Sequence, residues 1–246
     1  MENSLAILLQ LLLAHVITDF ILQPKGWIEH KRKFKAKSYI LIIHSLIAGI
    51  LSLVLIQDFY FQFWYLALLI SISHYLIDWW KLRQREDNLK YFLLDQLFHL
   101  VIILIVWLVI IDGFPQLKPF FNTIFNSTTI LAIFTAYLVI IFPVGYLIGK
   151  ATQRWQNEIE SIDQKNSLEA AGRYIGIFER ILVLTFIITH NVAGIGFLIA
   201  AKSVLRYSDK SETGARKQTE YVLIGTLMSF SITILLGLLV NYIILQ

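Results

Sequence analysis

What constrains this chain most is the length of its apolar runs. Stretches at residues 4–22, 38–56, 63–80, 91–111, 129–149 and 221–245 carry few charges. Each approaches the roughly 20 residues that an α-helix needs to cross a ~30 Å hydrocarbon layer. Backbone N–H and C=O groups left unpaired in lipid are so costly that such runs read as helices rather than open strands. Composition agrees: 57% of the 246 residues are hydrophobic and 15% charged, with a mean hydropathy of +0.67. A soluble domain carries about a quarter charged residues. The expected fold is therefore all-α, a polytopic transmembrane helical bundle.

A further apolar stretch, residues 174–205, is too long for one ordinary crossing, and Asn191, Gly194 and Gly196 interrupt it just after His190. The first run lacks a basic start and a small-residue cleavage site, and it carries His15 and Asp19. It is expected to stay as a helix rather than to be removed as a signal peptide. Basic residues set the orientation. Residues 24–37 hold Lys25, Lys31, Arg32, Lys33, Lys35 and Lys37 against Glu29 alone, and the loop after the third run holds Lys81, Arg83, Arg85 and Lys90. Residues 57–62 have no Lys or Arg, and residues 112–128 have only Lys118. By the positive-inside rule the basic segments face the cytoplasm and the N-terminus faces out, which predicts a multi-pass protein of the cell membrane. The connector 150–173 and the segment 202–217, with Lys202, Arg206, Lys210, Arg216 and Lys217, fall on the cytoplasmic side too. Both flanks of 174–205 then want one face, which predicts a re-entrant helical hairpin there and about six spans elsewhere. Residues 1–112 make a four-helix half and residues 113–246 a C-terminal half, within one integrated domain.

Ionisable side chains inside spans are expensive and usually face a protein interior or a water-filled cavity. The first four helices carry His15, Asp19, His44, His74, Asp78, Asp95 and His99. The pairs His15/Asp19, His74/Asp78 and Asp95/His99 are spaced i,i+4, so the partners in each share a helix face. Counted from the basic loops, these residues fall at one depth, within roughly 15 Å of the cytoplasmic interface at about 1.5 Å per residue. Four helices presenting His and Asp at one level match the way metal sites are built in bundle cores. Neutral imidazoles and carboxylates bind zinc, manganese or iron, with zinc expected first, and such a set with an open position activates water. His15, His44, His74, His99, Asp78 and Asp95 are the expected ligands, and Asp19, Asp78 and Asp95 the expected orienting or general-base carboxylates. Taken singly, each of these histidines reads as a packing residue; it is their convergence that carries the argument. A proton or ion relay uses the same residue types.

Other signals exclude more than they assign. There are no cysteines, so disulfides, thiolate ligands and cysteine nucleophiles are ruled out. The net charge of +4 sits in the loops and points to orientation and anionic lipid, with no direct nucleic-acid partner. A nucleophile elbow, a Walker loop and a dinucleotide fingerprint are all missing. Gly145/Gly149 and Gly172/Gly176 have GxxxG spacing, which usually marks close helix packing. Glu179 and Arg180 read as a structural pair, and Lys202 and Arg206 as snorkelling residues with a second role at an anionic head group.

The segments LLLAHVITDFILQPKGW, HSL, SHYLIDWWK and FLLDQLFHL resemble a bacterial integral membrane family catalogued as domain of unknown function 3307. The resemblance covers about the first 110 residues and falls on His15, Asp19, Gln23, His44, His74, Asp78, Lys81, Asp95, Gln96 and His99. The His/Asp-bearing helices are also similar, more loosely, to YdjM-like membrane-bound metal-dependent hydrolases. The first resemblance implies a soluble SatD-like partner; neither establishes a reaction.

Three functions fit this sequence. The leading one is a metal-dependent hydrolase of a lipid or lipid-linked substrate, drawn in by Lys81 and Arg83, with Lys202 and Arg206 as further anion-binding candidates. The second is an ion- or proton-coupled transporter or channel, disfavoured by the apolar outer halves at residues 47–56 and 100–111. The third is a non-catalytic membrane scaffold that recruits a soluble partner through its basic loops. Membrane lipids are partners in all three, and the sequence allows a homo-oligomer.

Overall fold

Proline and the capping residues cut the apolar runs into helices much where hydropathy places them. The computed structural model describes residues 2–56, 60–84, 88–160, 169–207 and 215–246, and among these there is no β-strand. The side chains of residues 2–3, 60–61, 154, 156–160, 169–171, 204–207 and 215–220 fall outside the description. Arg85 and Lys210 therefore lie outside the described residues, as do the side chains of Arg206, Arg216 and Lys217. The chain divides into two compact units, Met1–Pro119 and Phe120–Gln246.

In the first unit, α1 (Glu2–Val16) runs into a π-helical turn, Ile17–Ile21. There Leu22 N–H reaches back five residues to Ile17 O at 2.8 Å. Thr18 Oγ1 donates to Ala14 O at 2.8 Å, competing with the main-chain ladder. Pro24 then ends the run and opens α2 (Lys25–Phe34). A 3-10 turn, Lys35–Lys37, and Ser38 lead into α3 (Tyr39–Leu55), whose first turn is capped by Ser38 Oγ accepting from Leu41 N–H. The segments on either side of Ser38 are bent by 106°. α4 (Tyr60–Leu82) and α5 (Leu89–Ile110) complete the bundle, with Asn88 Oδ1 capping α5 through Tyr91 N–H. α1 packs on α3 and α5, and α4 on α3 and α5.

The interior of this unit has two parts. Leu11, Ala48, Leu66, Ile70, Ile103 and Val106 belong to an apolar core, and Trp107 Nε1 ties α5 to α1 at Ser4 O, 2.6 Å. Further along each helix, after Leu11 and Ile70 and before Ala48 and Ile103, the buried residues become His and Asp.

α6 (Phe114–Asn126) contains the boundary between the units. The second unit holds α7 (Thr128–Ile141), α8 (Pro143–Glu160), α9 (Glu169–Ile188), α10 (Val192–Tyr207) and α11 (Ala215–Ile244). α11 packs on α7, α8 and α9, with Ala136, Ile140, Leu184 and Val240 buried between them. The stretch 174–205 does break where the polar residues interrupt it. Asn191 N–H closes the end of α9 on Phe186 O at 2.7 Å, His190 turns with φ 56°, and α10 packs back on α9.

Among the described residues, four helices are long and apolar enough to cross a membrane: Ser4–Ile21, Leu89–Ile110, Thr128–Gln153 and Tyr221–Ile244. A fifth is added if Lys25–Lys37 and Tyr39–Leu55 count as one bent span. Six were expected. The difference lies in α3, only 17 residues long, and in α4, which is kinked at Phe63 (φ −122°, ψ 22°) and beyond that kink carries His74, Asp78 and Lys81.

Candidate metal centre

The bundle of the first unit brings all seven expected His and Asp residues into one buried cluster. α1 and its π turn supply His15 and Asp19, α3 His44, α4 His74 and Asp78, and α5 Asp95 and His99. The rings of His74 and His99 are 4.2 Å apart between centroids, those of His44 and His74 4.9 Å, and those of His15 and His99 5.0 Å.

Two groups of donor atoms stand out. Asp19 Oδ1 lies 3.4 Å from His44 Nε2 and 3.2 Å from His74 Nε2, and the two nitrogens are 3.0 Å apart. Metal–ligand bonds of ~2.0–2.1 Å in a tetrahedron put neighbouring donors about 3.3–3.4 Å apart. Asp19 Oδ1 is buried without an aligned hydrogen-bond donor despite being this close to both imidazoles. In the second group His99 Nε2 lies 3.6 Å from Asp78 Oδ1 and 3.7 Å from Asp95 Oδ1. Here His99 Nε2 and Asp95 Oδ1 are the buried atoms without a hydrogen-bond partner. Leaving a polar atom buried and unpaired costs about 1–3 kcal/mol, so each group gains from a cation among its atoms.

The other oxygen of each carboxylate is already held. Lys31 Nζ donates to Asp78 Oδ2 at 2.7 Å, and Lys81 Nζ to Asp95 Oδ2 at 2.6 Å. Gln96 Nε2 spans Asp95 Oδ2 at 3.2 Å and Asp19 Oδ2 at 3.5 Å, while its Oε1 accepts from His15 Nε2 at 3.2 Å. Gln23 Nε2 donates to Asp19 O at 3.0 Å, closing the end of the π turn. Groups that orient ligands through their outer atoms are a regular part of metal sites. With neutral imidazoles, three carboxylates against two ammonium groups leave one formal negative charge.

Lys31 was expected to be one loop cation among six. It is only 5% exposed and reaches the centre from α2. The available signal was its place on the helix face of Trp27 and Ile28, which the other basic residues of α2 do not share. His30, also on α2, is half-buried, with Nδ1 2.8 Å from Ser38 Oγ. Of the anion-binding candidates, Lys81 is paired with Asp95 and 31% exposed, and Arg83 stacks on Trp79 at 3.8 Å. Lys202 belongs to the second unit, where it pairs with Glu179 at 2.7 Å. The side chain of Arg206 lies outside the described residues.

Ser45 and Ser52 hydroxyls donate to carbonyls of their own helix. A small cavity lined by His15, His74, His99, Leu11, Ile70 and Ile103 joins the apolar core to the histidines.

A family model described as a protein of unknown function (DUF3307) matches residues 7–128, which contain the whole cluster. No curated protein and no solved structure matches the chain.

Proposed function

We propose, for a chain whose residues 7–128 belong to the DUF3307 family, that the His/Asp cluster is the metal centre of a membrane-embedded hydrolase acting on a lipid or lipid-linked phosphate or ester. The observation that carries this reading is the triangle of Asp19 Oδ1, His44 Nε2 and His74 Nε2, with sides of 3.0, 3.2 and 3.4 Å. Zinc is the ion expected first, with manganese and iron as competitors. A divalent ion held there would supply Lewis acidity, lowering the pKa of a water and polarising a phosphoryl or carbonyl oxygen. The chain's own residues do the rest. Gln96, Lys31 and Lys81 fix the carboxylates.

In this reading α3 and α4 also cross the membrane, because they pack directly on the apolar spans of α1 and α5. That makes six crossings, with α9 and α10 as a re-entrant hairpin. The N-terminus faces out, and Lys81 and Arg83 sit at the cytoplasmic rim, where an anionic head group approaches.

A second reading is favoured by the charge balance. The single net negative charge left by three Asp and two Lys is matched by one proton shared among the imidazoles, as in a proton relay. Elemental analysis of the detergent-purified protein beside a His74→Ala/Asp78→Ala variant separates the two. Stoichiometric transition metal in the parent, lost in the variant, is the expected result, with hydrolysis of lipid phosphates or esters in mixed micelles tracking metal content. No metal after reconstitution with zinc, manganese and iron would replace the hydrolase with the relay.

A further inference from the structure

We infer that the centre binds two metal ions side by side, one on Asp19, His44 and His74 and the other on Asp78, Asp95 and His99. This rests on the metal reading above and adds the number of ions and the division of ligands between them. The argument begins with the nitrogens. An imidazole nitrogen binds one ion at a time, and the three Nε2 atoms of His44, His74 and His99 fall into two sets. Those of His44 and His74 are 3.0 Å apart and share Asp19 Oδ1. That of His99 faces Asp78 Oδ1 and Asp95 Oδ1 instead, at 3.6 and 3.7 Å.

His15, His74 and His99 also form a compact group, but their Nε2 atoms have other partners. His15 Nε2 is engaged by Gln96 Oε1, and those of His74 and His99 belong to the two sets just described. His15 is thereby a positioning residue: it fixes Gln96, which spans the outer oxygens of Asp19 and Asp95.

The carboxylates divide in the same way. Each Oδ1 faces imidazole nitrogen, and each Oδ2 has a donor on its far side, Gln96 for Asp19, Lys31 for Asp78, and Lys81 with Gln96 for Asp95. Asp78 also links the sets, because its Oδ2 lies 3.8 Å from His44 Nε2 while its Oδ1 faces His99. Both sets contain an unpartnered buried oxygen, Asp19 Oδ1 in one and Asp95 Oδ1 in the other. A single ion satisfies one and leaves the other.

Two divalent ions against three carboxylates and two ammonium groups leave the centre with a positive charge. That surplus selects an anionic substrate and favours a phosphate over a neutral ester. Paired ions clamp the attacking and leaving oxygens of a phosphoryl group.

The test is zinc stoichiometry in the full-length, detergent-purified protein after zinc loading and removal of excess, beside His44→Gln and His99→Gln. Two zinc ions per chain in the parent and one in each variant are expected. Loading with manganese should then give an exchange-coupled electron paramagnetic resonance signal in the parent and an isolated-ion signal in each variant. One zinc in the parent, lost in His44→Gln and kept in His99→Gln, would overturn the pair and leave the single-ion hydrolase standing. One zinc lost in both variants would also overturn it, in favour of one shared ion. No zinc in the parent removes both readings. The parent's own stoichiometry decides between one and two ions even where a variant fails to fold.

Discussion

Asp78 gives one oxygen to Lys31 and turns the other toward His99, and that split decides what its neighbours are for. Lys31 is a buried ammonium on a short surface helix, 2.7 Å from Asp78 Oδ2. Removing one partner of a buried ion pair leaves an uncompensated charge, at a cost of about 3–5 kcal/mol. Lys31→Met should therefore lower the thermal unfolding midpoint of the metal-free protein in detergent, and saturating zinc should restore much of the loss by binding the folded state. An equal loss with and without zinc would show that Lys31 acts apart from the centre. The four histidines and three aspartates were legible from the sequence because their spacing put them at one depth. Lys31 was hidden among six basic residues that the positive-inside rule explains just as well. Gln96 stood out only through the family resemblance, because a neutral amide carries no chemical signal of its own until its two carboxylate neighbours are seen.

At the level of helices, the approach of α3 to α4 sets the distance between His44 and His74. Gly49 lies against the Ala67 carbonyl and the Ser71 hydroxyl, with no room for a Cβ. His44 is five residues before that crossing and His74 three after Ser71, so a wedge here parts the two imidazoles. Gly49→Leu should cost about 1–3 kcal/mol from overpacking and weaken zinc binding by about 10–100-fold, the range seen when groups supporting a metal site are lost. Gly26→Leu, at a position with nothing within 4 Å, should leave zinc binding unchanged in the same competition titration. Hydropathy was enough to locate most of the helices, because burial in lipid and burial in protein ask for the same side chains. It could not show the π turn that aims Asp19, or the 106° bend that brings α2 to the site. Those depend on single hydrogen bonds, such as Leu22 N–H to Ile17 O, that leave no periodic trace.

For the whole chain, the lack of cysteines makes topology directly measurable. Single cysteines at the exposed positions Lys33 and Lys90 should react with an impermeant maleimide only from the cytoplasmic face, and one at Gln116 only from the other. Labelling of Lys33→Cys from outside would reverse the orientation. The all-helical, multi-helix character was legible from run length alone. The second unit's internal logic was not, because one glycine of each GxxxG-spaced pair, Gly145 and Gly176, lies against a side chain, while Gly149 and Gly172 have nothing within 4 Å. Arg180, 5% exposed, lies beside Gly145 and Gly176 and donates from Nε to Ile140 O at 2.6 Å, where Phe142 and Pro143 interrupt the path from α7 to α8. That bond joins residues 40 positions apart. A ribosome adding about 5–20 residues per second needs about 2–8 s to make the intervening chain. Through that interval the Ile140 carbonyl has to find another donor, water or the translocation machinery. The break between α7 and α8 is thus a point whose backbone pairing is completed only by a segment made later.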